Sequence, residues 1–411
     1  MQVVEQHVIG RSDPRYAVID QAAFASKNLY NAANYEIRQT FIFQGQYLSY
    51  EQMDQRMKSD EAYKALPAKV AQQVLRLLDK NWKAFRAGLS AWYEDPSQFL
   101  GRPCLPKYKD KQQGRNVLIY TLQAISLKAL KRGLICPSML PITVETKQAN
   151  VQQVRIVPRK GYYVVEVVYE RQEQQAPVNP AWMAAVDIGV NNLVALTSNK
   201  AGFVPLLVNG RPLKSTNQYY NKRKAELQKK LRDTRFTARM ERMTTKRTRR
   251  IDHYLHTASK RIIDFLVAEE IGTLIIGKNP FWKQECEIRK ADKQHFVQLP
   301  HARFVEMLCY KARLVGIQVI LQEESYTSKA SFLDKDPIPT YGKVDPESVF
   351  SGRRVKRGLY KAKYGRKFNA DVNGSYNILC KASPDAFGKG VEDAVVHPRQ
   401  FSVGSQKSRI R

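Results

Sequence analysis

Apolar residues in the first hundred positions recur at three- and four-residue steps. In the clearest run Val70, Val74, Leu77, Leu78, Trp82 and Phe85 fall on one side of a helix. Its other side carries Lys69, Gln73, Arg76, Lys80 and Lys83, a row that is either a solvated face or a nucleic-acid surface. Helices are also expected over residues 15–43 and 50–57, after a short strand at 2–9. The segment 100–114, rich in Pro, Gly and Lys, reads as a linker.

The period then changes. Over 115–171 short β-rich runs (NVLIYTL, AISLKAL, ITVETK, VQQVRIVP, YYVVEVVYE) alternate with Gly, Pro and Asn, which predicts a small antiparallel barrel or sandwich. The polar stretch 172–180 reads as a boundary. From Ala181 the pattern is α/β. MAAVDIGVNNLVALTS predicts a strand hairpin turning at residues 189–192. Residues 222–250 hold thirteen Lys or Arg, Arg223 and Lys230 among them, against three acids. A helix at 254–270 leads into strand 273–277, and a helix at 302–314 leads into strand 316–324. Two helix–strand units with short connections imply parallel neighbouring strands.

Charge narrows the function. Among 411 residues, Lys and Arg number 68 against 38 Asp and Glu, a formal +30. Repulsion of that size is relieved by a polyanion, while 43% hydrophobic residues supply real cores. Nucleic acid is therefore the expected partner, ahead of a ribosome or a membrane surface. The opening residues lack the apolar run of a signal peptide, and the stretch 304–322 is broken by Glu306, Lys311 and Arg313. A cytoplasmic protein with no membrane partner is expected. Five scattered cysteines form no CxxC pair, so neither a disulfide framework nor a cysteine zinc site is indicated.

Two acidic residues stand out. Asp187 interrupts the apolar strand Ala184, Ala185, Val186, Ile188, where an ionised carboxylate is costly unless a cation pairs with it. A strand-end Asp can also simply cap a turn. Asp371, in FNADVNGSYNILC, stands at the start of a helix, where Asp is commonly an N-cap. Together they frame a module that opens on a strand-borne DxG and closes on a NADxNGxxNI helix.

With AAVDIGVNNLVAL, IGTLIIGKN, ESYTSKASF and FNADVNGSYNIL in place, residues 181–382 resemble the split RuvC nuclease domain of the TnpB family. These proteins are transposon-encoded relatives of type V CRISPR effectors. PAKVAQQVLRLLDKNWKAF resembles the family's recognition-lobe helix, and LPKYKDKQQGRNVLIYTLQAISL the start of its wedge barrel, so the likeness covers nearly the whole chain. The implied fold is multidomain α/β plus β-barrel. A wedge barrel (1–12, 100–180) carries an inserted helical recognition lobe (13–99). An RNase H-like nuclease (181–328, 366–382) contains a degenerate zinc-ribbon-like basic loop (329–365), and a disordered tail (383–411) follows.

Two departures from the family pattern matter. Its second catalytic Glu ordinarily follows the third strand run, where this chain has Gly277 and then Lys278. Glu323 and Glu324 instead end the next strand, before Ser325, Tyr326, Thr327 and Ser328. Adjacent strands lie about 4.8 Å apart, so a Glu there reaches the same place, as in the Fanzor relatives. Spacing from the Thr-Ser pair favours Glu324 over Glu323; Glu285 and Glu287 are weaker candidates. The family's paired CxxC is also missing, so no structural zinc is expected. Residues 352–367 carry eight basic residues and no acid, with Arg353, Arg354, Lys356 and Arg357 suited to phosphate.

The resemblance implies an RNA-guided DNA endonuclease. A guide RNA would pair with target double-stranded DNA, Lys69 and Gln73 would contact a short flanking duplex motif, and Arg76 would also bind nucleic acid. Asp187, Glu324 and Asp371 would bind two Mg²⁺ and hydrolyse phosphodiesters. Gly277 keeps a second reading open, a guide-directed DNA binder that does not cut. A third is a compact CRISPR effector using an array-derived guide.

Overall fold

Strand β1 (Gln2–Gly10) pairs antiparallel with the distant β6 (Tyr162–Glu170), Gln2 lying opposite Glu170. The structure, a computed structural model, describes residues 1–231, 237–278, 298–340, 350–388, 390, 394–401 and 403. They fall into two compact units, Met1–Arg171 and Gln172–Arg411.

In the first unit β2 (Leu118–Thr121) and β5 (Val151–Arg159) complete a sheet of order β1-β6-β5-β2. A separate pair joins β3 (Leu134–Ile135) to β4 (Val144–Glu145). Helices α1 (Tyr16–Gln44), α2 (Tyr50–Met57), α3 (Glu61–Lys64) and α4 (Ala68–Glu94) come between β1 and β2. The α4 stripe is buried at Val70, Val74, Leu75, Leu78 and Trp82, with Leu77 at its margin. The linker is laid along α1, where Lys27, Asn31 and Asn34 donate to the carbonyls of Lys111, Lys109 and Pro106 at 2.8, 2.9 and 3.0 Å. AISLKAL departs from its expected strand. It forms a 3-10 turn (Leu122–Ala124) and the short helix α5 (Leu127–Leu130), because the Ser126 side chain caps Ala129 N at 3.3 Å.

The second unit is built on a six-stranded mixed sheet. Strands β7 (Asn179–Asp187), β8 (Asn192–Ser198) and β9 (Leu206–Asn209) form an antiparallel meander. Two basic helices follow, α6 (Arg211–Lys229) and α7 (Ala238–Ala268). Strand β10 (Ile271–Gly277) then pairs parallel with β7. Helix α8 (His301–Leu314) leads to β11 (Gln318–Gln322), parallel to β10 as its helix–strand pattern predicts. A small sheet of β12 (Arg353–Lys356), β13 (Leu359–Lys361) and β14 (Lys367–Asn369) precedes helix α9 (Ala370–Ala382). Buried Phe332, Tyr360 and Phe368 pack together beside it.

Three expectations need correction. Residues 172–180 belong to the second unit, since Gln174 N and Ala176 N donate to Leu314 O and Val315 O at 2.9 and 3.0 Å. The basic stretch and the helix expected at 254–270 are continuous from Ala238, because Met240, Ile251, Leu255, Ile262 and Leu266 form one buried stripe. Part of the expected tail is ordered: β15 (Arg399–Phe401) pairs parallel with β9, and Val396 is buried. The sheet order is β11-β10-β7-β8-β9-β15.

Both faces of the sheet's centre are covered, which explains why β10 and the inner parts of β7 and β8 are apolar and buried. Ala184, Val186, Leu274 and Ile276 pack with residues of α7 and α8, whereas Ala185 and Ile275 pack with Ile378 and Leu379 of α9. The fold is mixed α/β. Among the described residues no helix is long and apolar enough to cross a membrane.

Candidate active site

Strand alternation decides where each carboxylate emerges. Asp187 lies two residues beyond Ala185, and Gly277 two beyond Ile275, so both positions face α9. Ile276 pairs with Val186, which sets Gly277 next to Asp187 at the carboxyl ends of β10 and β7. Gln322 of β11 pairs with Gly277 on its other side, and Lys278 N donates to Gln322 O at 2.8 Å. Glu324 follows two residues later. Its carboxylate folds back over β10, where a Cβ on Gly277 would lie 2.4 Å from Glu324 Oε2 and 2.7 Å from Ile378 Cδ1. The glutamate occupies the space that a side chain at 277 would need.

A second glycine makes room for Asp187. A Cβ on Gly374 of α9 would fall 2.8 Å from Asp187 Oδ2. Helix α9 is anchored there by Ser375, whose hydroxyl donates to Ala185 O at 2.9 Å. Asp371 is held at the start of α9 by two donors. Asn192 Nδ2 gives to Oδ2 at 2.7 Å and Arg354 to Oδ1 at 3.2 Å. The helix cap is not Asp371 but Asn369, whose side chain accepts from Asp371 N and Val372 N at 2.9 and 3.2 Å.

Electrostatics ties the three acids together. Burial, then the charges of Glu324 and Asp371, push the Asp187 carboxyl well above its ordinary value; Arg354 opposes them. Burial, then Glu323, push Glu324 up to about 7, with Lys381 opposing. Buried anions with raised proton affinity form a site that calls for positive charge. Among the described residues no three His, Cys, Asp or Glu side chains converge as a ready-made metal cage. The all-carboxylate donor set nevertheless has the chemistry a hard divalent cation selects.

Glu323 faces another way. Although burial raises it, Lys381 at 2.6 Å and Ser325 N at 2.7 Å hold its carboxyl below the usual range. Lys381 also donates to Ser325 O and Pro339 O, both at 2.9 Å, so this ion pair pins the loop after β11. The two motif asparagines pin the same loop further on. Asn373 donates to Ala330 O and accepts from Phe332 N, at 2.8 and 3.0 Å. Asn377 donates to Thr327 O and Ala330 O at 2.8 and 2.7 Å. Glu285 and Glu287 lie outside the described residues.

The expected nucleic-acid residues fall in several places. Lys69, Gln73 and Arg76 share a cavity of about 500 Å³ in the first unit with Gln72, Thr121 and Gln123. Arg76 lies over the Tyr50 ring at 4.0 Å. In the second unit Arg223 is paired with Glu226 at 2.6 Å, and Lys230 caps the end of α6. Arg353 and Lys356 are exposed on β12, Arg357 begins the following turn, and Arg354 reaches Asp371. Asn192, Gly374 and Lys381 were not singled out from sequence. The Asn in the GVNN turn and the Gly in the α9 motif were the available signals.

Known proteins resemble parts or most of this chain. A family model described as a probable transposase, OrfB of IS605, matches residues 166–281, and a Cas12f1-like TNB domain model matches 301–378. The chain is similar to the TnpB-like protein ORF457 of Acidianus two-tailed virus. They are 24% identical over 395 residues, covering 87% of this chain and 81% of the viral one. Its fold is similar to that of Cas12f1 in a cryo-EM structure of a Cas12f1–sgRNA–target DNA complex. The TM-score is 0.54 at 15% identity, over 88% of this chain and 82% of the other.

Proposed function

The chain belongs to the TnpB family, and from that membership we propose that it is an RNA-guided DNA endonuclease of the RuvC type. The observation that carries this reading is Glu324. Its carboxylate fills the space above Gly277 and stands next to Asp187 under the same helix, so an acid absent from β10 is supplied from β11. The sheet order, a meander with two parallel strands added beside its first, supports an RNase H-like core. The β1-β6-β5-β2 sheet with its β3–β4 pair supports a wedge barrel, and α1–α4 a recognition lobe.

In this reading the +30 chain binds a guide RNA, and base pairing with the guide selects the target. The cavity at Lys69, Gln73 and Arg76 reads a short duplex motif, since amide and cationic side chains can hydrogen-bond base edges. Asp187, Glu324 and Asp371 would hold two Mg²⁺, which when bound activate the attacking water and stabilise the leaving oxygen. The chain's own residues prepare the acids for that task. Asn192 orients Asp371, and Lys381 draws Glu323 aside and leaves Glu324 over Gly277. Asn373 and Asn377 fix the loop that follows Glu324 against α9.

The test is cleavage of a guide-matched plasmid by the purified complex in Mg²⁺, with sequencing of the RNA that co-purifies. Alanine at 187, 324 or 371 abolishes cutting; unimpaired cutting by Glu324→Ala removes that residue from the site. One observation favours the second reading, a guide-directed binder that does not cut. Asp371 is already paired with Arg354 at 3.2 Å. Target occupancy with no cut product decides for it.

A further inference from the structure

A cavity of about 300 Å³ opens beside Asp371, and three arginines reach it over a floor that includes Val190 and Leu207. Arg211, Arg354 and Arg357 line it with Asn192, Asn369 and Asp371. The chain brings these together by a tight contact at the start of α6. A Cβ on Gly210 would fall 2.3 Å from Val190 O, so only glycine allows that approach. Gly210 N donates to Asn191 O at 2.8 Å, which locks α6 to the β7–β8 turn. The next residue on the helix is Arg211, and the next on the turn is Asn192, the donor to Asp371. From the opposite wall β12 contributes Arg354, and the turn after it Arg357, where Gly358 takes a φ of +80°.

Guanidinium groups gathered along one concavity, with Arg211 at the start of α6, attract an anion. Guanidinium forks match the oxygens of a phosphate in pairs. The volume is at the small end for ligand sites, suited to one phosphodiester with its sugar and too small for a duplex. Resting on the nuclease reading above, we propose that this cavity seats the phosphodiester next to the scissile one on the single DNA strand being cut. Arg211 is its dedicated substrate-binding residue. A phosphate held there fixes the strand on the Asp371 side and aligns the neighbouring bond with the acids.

The experiment places single neutral methylphosphonates along the target DNA of the guide-loaded complex. Cutting rate and, with Ca²⁺ replacing Mg²⁺, DNA affinity are both measured. At one position adjoining the cut, the substitution slows the wild-type protein roughly tenfold or more, the loss of a charged hydrogen-bond pair. Arg211→Ala slows unmodified DNA by a similar factor but shows no further loss at that one position, while other positions stay multiplicative. Arg211→Lys keeps the charge without the fork and falls between. Arg211 is exposed, and an unchanged melting temperature excludes misfolding. Losses that multiply at every position overturn the proposal, as does non-additivity confined to phosphonates in the guide RNA. A wild-type complex that holds DNA and never cuts refutes the nuclease reading alone, because the affinity arm still reports on Arg211.

Discussion

Glu324 and Gly277 share one space: a Cβ at 277 would stand 2.4 Å from Glu324 Oε2. Real Cβ atoms do not approach an oxygen that closely, so a side chain at 277 and this placement of Glu324 exclude each other. Glycine at 277 and the observed placement of Glu324 are therefore one arrangement.

Gly277→Ala therefore displaces Glu324 and also presses on Ile378, 2.7 Å from the new Cβ. Both atoms are the ends of flexible side chains that can turn aside, so the cost in stability is small. Cutting falls at least tenfold while the chain still folds. The informative partner is Gly277→Glu combined with Glu324→Ala, which returns the acid to β10. That double variant cuts faster than Glu324→Ala alone, and equal rates would separate the two positions.

Gly374 gives the corresponding test for Asp187. Valine there meets Asp187 Oδ2 with its first carbon at 2.8 Å, and the helix backbone cannot yield because Ser375 ties it to Ala185 O. Gly374→Val lowers the cutting rate at least tenfold with guide-RNA binding unchanged. Full activity in that variant would show that Asp187 has room to spare.

Titration of Glu324 has a definite sign. Its carboxyl is raised from 4.5 to about 7, by burial first and by Glu323 next. The neutral form is the one the fold prefers, so this contribution to stability is complete below about pH 4.5 and is lost as pH rises through 7. In chelator and without nucleic acid, Glu324→Gln and wild type melt alike at about pH 4. By pH 8 the variant is the more stable, by on the order of 2 kcal/mol. A gap that fails to widen with pH contradicts the burial argument.

Part of the candidate site was legible in the chain. An acid inside an apolar strand points to Asp187, while Glu324 was reached through the family resemblance, by its distance before Thr327 and Ser328. What stayed hidden depends on contacts far apart in sequence. Asn192 and Asp371 are 179 positions apart and meet only once α9 packs on the sheet. The same holds for β15, three residues whose pairing with β9 leaves no periodicity to read. AISLKAL failed as a strand for a local reason, a serine that caps a turn more favourably than apolar residues extend a strand.

Arg354 and Asp371 carry the last prediction. Their contact is 3.2 Å, the arginine side chain is 46% exposed, and it sits on a short strand near the protein surface. An exposed pair of this kind contributes at most about 1 kcal/mol. A divalent cation using Asp371 must compete with it, so Arg354→Ala binds Mn²⁺ more tightly in the nucleic-acid-free protein, by roughly fivefold or less. Calorimetry reads that change without any cleavage. Lysine at 354 keeps a cation in reach and leaves the affinity near wild type. Because Arg354 also lines the phosphate cavity, the alanine variant gains metal and loses DNA, two opposite shifts that general misfolding does not produce. Unchanged Mn²⁺ affinity in Arg354→Ala would mean that the arginine and the metal do not compete for Asp371.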